Sequence, residues 1–169
     1  MTDSISASEL SSNWDETRTL YAELASQIDG LLTGETDVIA NLANAAAAIY
    51  LALPALNWAG FYLARDGELV LGPFQGKPAC VRIPFGQGVC GAAAQQRRSI
   101  VVPDVHAFPG HIACDVASRS ELVVPLIVAG TLFGVLDLDS PRLSRFDAHD
   151  QAGCELLAET IVRHLRSQP

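Results

Sequence analysis

Basic residues are scarce: Lys and Arg number 11 against 19 Asp and Glu, a formal net charge of −8 at pH 7. A surface of that sign repels a phosphate backbone, so nucleic acid is not an expected partner. Long apolar runs are missing too. The longest, "AAAAIYLALPAL", is Ala-rich and interrupted by Pro54, too short to span a bilayer. The opening "MTDSISASELSSNWDE" has neither the basic nor the apolar segment of a secretory signal. These features point to the cytoplasm, where a disulfide is usually transient and catalytic or redox-sensing. The four cysteines, Cys80, Cys90, Cys114 and Cys154, form no C-x-x-C pair and no zinc-finger spacing. "GQGVCG" lacks the lysine of a phosphate-binding loop, and serine catalysis has no nucleophile elbow here. Internal repeats, low-complexity tracts and interdomain linkers are absent.

What is present suits one domain. Of 169 residues, 49% are apolar, enough for a sizeable core. Residues 1–12 read as a frayed Ser-rich tail, and 13–169 as a single domain. A helix is expected after Asn13, with Leu20, Leu24, Ile28 and Leu31 on one face and Gly34 at its end. A second, about 36–53, carries Val38, Leu42, Ala45, Ile49 and Leu53 and stops at Pro54. "NWAGFYLARDGELVLGPF" then reads as strand, turn, strand, with Asp66–Gly67 suited to a tight hairpin turn. A short strand follows in "CVRIPF", a short helix over about 88–97, and another strand in "SIVVPDV". Residues 103–121 show no sustained period, and a loop of that length in a compact domain is usually functional or disordered. "LVVPLIV" and "LFGVLDLD" form a second hairpin at Ala129–Gly130. The last helix runs from about Asp147, a candidate N-cap, to Arg166, burying Leu157, Ile161 and Leu165. The class is α+β: about six antiparallel strands, with the terminal helices packed on one face and a pocket on the other.

"GHIACD", residues 110–115, poses the chemical question, since Cys114 can be a buried hydrophobe, a metal ligand or a nucleophile. A nucleophile must be a thiolate; His111 and Arg119 favour that form and Asp115 opposes it. Cys90 sits between residues of a helix start, which also favours a thiolate, although a small packing residue is the plain alternative. Cys80 leads into a strand, and Cys154 falls on the core face of the last helix. Alternation along "GVLDLDS" puts Asp137 and Asp139 on one face, about 7 Å apart, and Leu136 and Leu138 on the other. On a solvated face such a pair means little; in a pocket one acid stays protonated and the other can hold an ammonium. Glu121 starts the neighbouring strand and can join them. Trp58 and Tyr62 share a face, as core or as the wall of a ligand site. A zinc set of Cys90, His106, His111 and Cys114 has fifteen, four and two residues between its members, which matches no common site; no metal is expected.

Together "NWAGFYL", "ACVRIPFGQGVCG", "DVHAFPGHIACDVASRSELVVPL" and "GVLDLDSP" resemble the free methionine-(R)-sulfoxide reductases, which are single GAF-domain enzymes. The resemblance covers about residues 13–165. It implies reduction of the R-sulfoxide of free methionine, with Cys114 as nucleophile and Cys90 or Cys80 as the resolving thiol. It places Glu121, Asp137 and Asp139 at the substrate, with Trp58 and Tyr62 as an aromatic wall. It further implies no bound cofactor, NADPH-linked thioredoxin as external reductant, and a homodimer. Cys154 matches no motif. The rival expectation is a non-catalytic GAF module that binds a small molecule and signals; no output domain accompanies this one, which weighs toward the enzyme.

Overall fold

Six antiparallel strands form one sheet in the order β3-β2-β1-β6-β5-β4. They are β1 (Trp58–Arg65), β2 (Glu68–Gly76), β3 (Arg82–Pro84), β4 (Ile100–Val102), β5 (Ser120–Val128) and β6 (Thr131–Ser140). The computed structural model describes residues 7–110 and 115–166, with side chains over 14–110 and 115–165. Both expected hairpins are present. Asp66 and Gly67 take φ of 47° and 86°, and Ala129 and Gly130 take 48° and 80°, the left-handed pairs that match the strand twist. The central pairing joins β1 to β6, with Trp58 opposite Asp139 and Gly60 opposite Asp137. No local signal encodes it.

Helices α1 (Ala7–Leu32), α2 (Val38–Ala52) and α4 (Ala148–Arg166) contribute to one core. Ala59, Phe61, Leu122, Leu136 and Leu138 meet them from the sheet. The short helix α3 (Gly88–Gln96) belongs to a second core on the opposite face, with Tyr62, Val123 and Val135. The expected layout of three helices on one face therefore holds, and the other face is left to α3 and the loops. Strand alternation makes this division: Leu136 and Leu138 are fully buried toward the helices, so Asp137 and Asp139 must point the other way.

Some boundaries differ. Helix α1 begins at Ala7 rather than after Asn13, so part of the segment expected to be frayed is helical. Its buried stripe is Tyr21, Leu24, Ala25, Ile28 and Leu32, while Leu31 is 45% exposed. The reason is a tyrosine whose place in the core depends on a distant partner. Tyr21 donates from its hydroxyl to Asp150 Oδ1 at 2.8 Å. Arg145 Nη1 reaches both oxygens of the same carboxylate at 3.1 and 3.0 Å. The pair satisfies a buried acid that would otherwise be costly, and it fixes α1 against α4. Among the described residues of 103–121 is a 3₁₀ turn, Val105–Ala107, capped by Asp104. At α4, Asp147 accepts from the His149 and Asp150 amides at 2.7 and 3.0 Å, the capping expected of it.

This packing predicts an inverted helix-propensity effect. Gly153→Ala within α4 would normally stabilise by about 1 kcal/mol. Here the new Cβ would fall 2.6 Å from Tyr21 Cδ1, and the ring cannot retreat without releasing Asp150. Overpacking of this kind costs about 1–3 kcal/mol. Urea unfolding should show a lower midpoint for the variant; an unchanged or higher one would contradict the locked ring.

Candidate active site

Glu121, Asp137 and Asp139 converge on the face away from α1, α2 and α4. Their strands bring them there: Glu121 of β5 lies opposite Asp139 of β6, and Asp137 lies opposite Val123. Glu121 is 6% exposed and Asp137 5%. Cys90, in the first turn of α3, completes the cluster. Its Sγ donates to Glu121 Oε1 at 3.8 Å. The four line a cavity with Ile83, Gln87, Gly88, Val89, Asp115 and Ser118, of about 410 Å³ including its open mouth.

Burial dominates the electrostatics. It pushes Asp137 up to about 7, against hydrogen bonds from Cys90 and Glu121 that pull the other way. Burial, then the negative charges of Asp137 and Asp139, hold Glu121 well above the usual carboxylate range. Burial, then Asp137 and Asp115, do the same for Asp139. Three acids buried this close together cannot all ionise, so the cluster carries exchangeable protons at neutral pH. Asp137 Oδ1 is buried with no hydrogen-bond partner among the described residues. An orphaned acceptor of this kind is costly, and a cationic ligand would satisfy it.

Of the two sequence readings of Cys90, an activated thiolate or a small packing residue, its burial favours the second. A helix N-terminus favours a thiolate, but burial, followed by the charges of Asp137, Glu121 and Asp139, pushes this thiol well above the ordinary range. A half-unit helix charge does not offset three carboxylates in an apolar enclosure. Cys154 is likewise buried, its thiol pushed up to about 12 by burial, in keeping with its core reading. Cys90 and Cys154 are free thiols, whereas Cys80 is disulfide-bonded. His111 and Cys114 lie outside the described residues. Of the four residues weighed as zinc ligands, only Cys90 belongs to the cluster among the described residues; His106 is exposed on the 3₁₀ turn.

Trp58 and Tyr62 stack on each other at 5.8 Å between centroids. They stand beside the acids without lining the cavity. Trp58 Nε1 donates to Lys77 O at 3.2 Å and Tyr62 Oη to Cys80 O at 2.9 Å, so both hold the segment that carries Cys80. Two further residues complete this wall unannounced by the sequence. Phe74 stacks on Trp58 at 5.2 Å. Gly60 makes room for that stack, since a Cβ there would meet Trp58 Cη2 at 2.8 Å and Phe74 Cα at 2.7 Å.

Asp115 was read only as a charge opposing a Cys114 thiolate; the structure gives it a scaffold. It accepts from the Ala117 amide at 2.9 Å and from Asn57 Nδ2 at 3.2 Å, and pairs with Lys77 Nζ at 3.6 Å. The Ala117 bond, with help from Asn57 and Lys77, holds its carboxyl below the usual range. Asp115 thus links the chain just after Cys114 to the chain just before Cys80. The adjacency of Asp115 to Cys114 was the available signal; Lys77 and Asn57 offered none.

The acid cluster has a testable consequence for stability. Asp137 in the folded protein holds its proton up to about 7, well above the ordinary value near 3.9 of an unfolded chain. The folded state binds more protons than the unfolded state across that window, so stability falls as pH rises through it. Urea unfolding at about pH 5 and about pH 8 should show a loss on the order of a few kcal/mol. Asp137→Asn should remove the share that Asp137 contributes and leave the share of Glu121 and Asp139; an unchanged pH dependence in the variant would mean that the fold does not hold the Asp137 proton.

The chain matches the GAF domain model over residues 27–166. It is 50% identical over 145 residues to the free methionine-R-sulfoxide reductase of Escherichia coli (strain K12), covering 86% of this chain and 88% of that one. It is 44% identical over 150 residues to the enzyme of the same name from Saccharomyces cerevisiae, covering 84% and 83%. Among solved structures, the free methionine-R-sulfoxide reductase of Neisseria meningitidis in complex with its substrate superposes with a TM-score of 0.84. It shares 48% identity and covers 88% of this chain and 89% of that one. The match spans both the acid-bearing strands and the helix that presents Cys90, and on it the chain belongs to the GAF-domain family of free methionine-R-sulfoxide reductases.

Proposed function

We propose that this protein reduces the R-sulfoxide of free methionine to methionine, with Cys114 as the attacking thiolate. The observation that carries the reading is the buried triad of Glu121, Asp137 and Asp139 around a small cavity, with one oxygen of Asp137 unpartnered. Relatives at 44–50% identity carry that enzyme's name.

The chemistry follows from the groups present. Sulfoxide oxygen leaves poorly unless protonated, and Glu121, whose proton is held by burial, is placed to supply it. Asp137 accepts the substrate ammonium. The Cys114 thiolate attacks the sulfoxide sulfur and the protonated oxygen leaves as water. Water then attacks the Cys114 sulfur of the sulfonium adduct, the new S–S bond breaks with its electron pair going to methionine, and Cys114 is left as a sulfenic acid. A second thiol condenses with it, forming a disulfide and releasing water. We assign that role to Cys80. Its disulfide-bonded state and the free thiols of Cys90 and Cys154 support the choice, as does the Lys77–Asp115 link between the two segments. Cys90 instead donates to Glu121. A dithiol protein of the thioredoxin type, reduced by NADPH, returns both thiols by exchange. The active form is a cytoplasmic homodimer with no bound cofactor. Among the described residues, no helix is long and apolar enough to cross a membrane.

Thioredoxin-coupled NADPH consumption tests the proposal directly. Turnover is expected with the R epimer of free methionine sulfoxide and not with the S epimer or with a sulfoxide inside a peptide. No turnover with either epimer would leave the signalling GAF module as the better reading.

A further inference from the structure

The proposed chemistry uses Cys90, Glu121 and Asp137 as proton and ammonium partners, but their donor atoms form a set of another kind. One sulfur and two carboxylate oxygens all lie within 4.8 Å of one another. Cys90 Sγ and Glu121 Oε1 are already 3.8 Å apart. Two ligands on a tetrahedral zinc, at about 2.3 Å for sulfur and 2.0 Å for oxygen, stand about 3.5 Å from each other. A carboxylate oxygen of Asp137 is the third donor, and the Oδ1 of that side chain is buried and unpartnered among the described residues.

From this geometry we propose that the reduced protein binds one zinc-class divalent cation through Cys90, Glu121 and Asp137, in competition with the substrate's ammonium group. The sulfur donor favours zinc over magnesium or calcium, which prefer all-oxygen cages. The three side chains sit on α3, β5 and β6, so the sheet and one packed helix hold the set in place. A fourth position opens into the cavity, as in an unsaturated site. Binding releases the protons of Cys90 and Glu121, and any held by Asp137, to solvent, and no electron moves. A bound cation takes the Asp137 oxygen that the ammonium would use, so zinc acts as a reversible inhibitor. The binding itself is independent of turnover; the competition with methionine sulfoxide rests on the function proposed above.

Cobalt(II) is the probe. The full chain carrying Cys80→Ser and Cys114→Ser retains only Cys90 and Cys154 as thiols. Cobalt should give this protein a thiolate-to-metal absorption band that saturates at one equivalent and is bleached by zinc. Adding Cys90→Ser should abolish the band. Asp137→Ala, which keeps the thiol, should weaken cobalt binding by about tenfold or more. No band in the doubly substituted protein overturns the site, because the metal would then belong to the redox pair. A band that survives Cys90→Ser, or an affinity unchanged by Asp137→Ala, overturns it as well. Free methionine-(R)-sulfoxide should bleach the band; a band left intact refutes the competition, while turnover of the wild-type protein reports separately on the proposed function.

Discussion

Cys114→Ser is expected to abolish turnover of free methionine-(R)-sulfoxide, lowering kcat by roughly 10⁴-fold or more, the scale on which nucleophile deletions fall. A serine hydroxyl is a far weaker nucleophile than a thiolate and cannot take oxygen from sulfur. Asp137, the proposed ammonium partner, is untouched, so binding of the sulfoxide should persist. Ligand-induced elevation of Tm in the variant is the check, because a ligand that prefers the folded state stabilises it. Cys80→Ser should behave differently. It should permit one round of reduction per protein, seen as a single burst of methionine, and then stall at the sulfenic acid. A full steady-state rate in Cys114→Ser would remove that residue from the chemistry.

The second large effect divides the acids by role. Glu121→Gln should lower kcat by about 10²–10⁴-fold with a smaller change in KM, since a positioned proton donor contributes on that scale. Asp137→Asn should instead raise KM, because the amide cannot neutralise an ammonium as the carboxylate does. The physical basis is the order of the environments: Glu121 is held protonated by burial and by two neighbouring negative charges, while Asp137 rises only to about 7 and so shares its proton near neutrality. The measurement is kcat and KM for both variants with the R epimer. Equal loss of kcat in the two would mean the acids act as one undivided cluster.

Much of this architecture was legible along the chain. Alternation in "GVLDLDS" assigned Asp137 and Asp139 to one face, and the fully buried Leu136 and Leu138 explain why. The stripe from Leu42 through Ala45 and Ile49 to Leu53 located α2, and Asp66–Gly67 located the first hairpin turn. The misreadings have a common cause. Leu31 was placed inside and Tyr21 was overlooked because hydrophobicity alone favours leucine over a hydroxyl-bearing ring. Tyr21 is buried only because Asp150, 129 residues away, accepts its hydrogen bond. For Cys90 the helix start left an activated thiolate open because it is a local feature, whereas the acids that suppress its ionisation come from β5 and β6.

By itself, the sequence determined the elements, their inner and outer faces, and which residues carry reactive groups. Those properties depend on neighbours two to four positions away, where side-chain period and turn chemistry act. The tertiary structure alone decided that β1 lies beside β6 and that α3 caps the same face. It therefore also decided that three acids share one cavity with a thiol and that Lys77 reaches Asp115. Proton affinity inside a pocket depends on burial and on charges a few ångströms away, and those neighbours are brought in from distant parts of the chain.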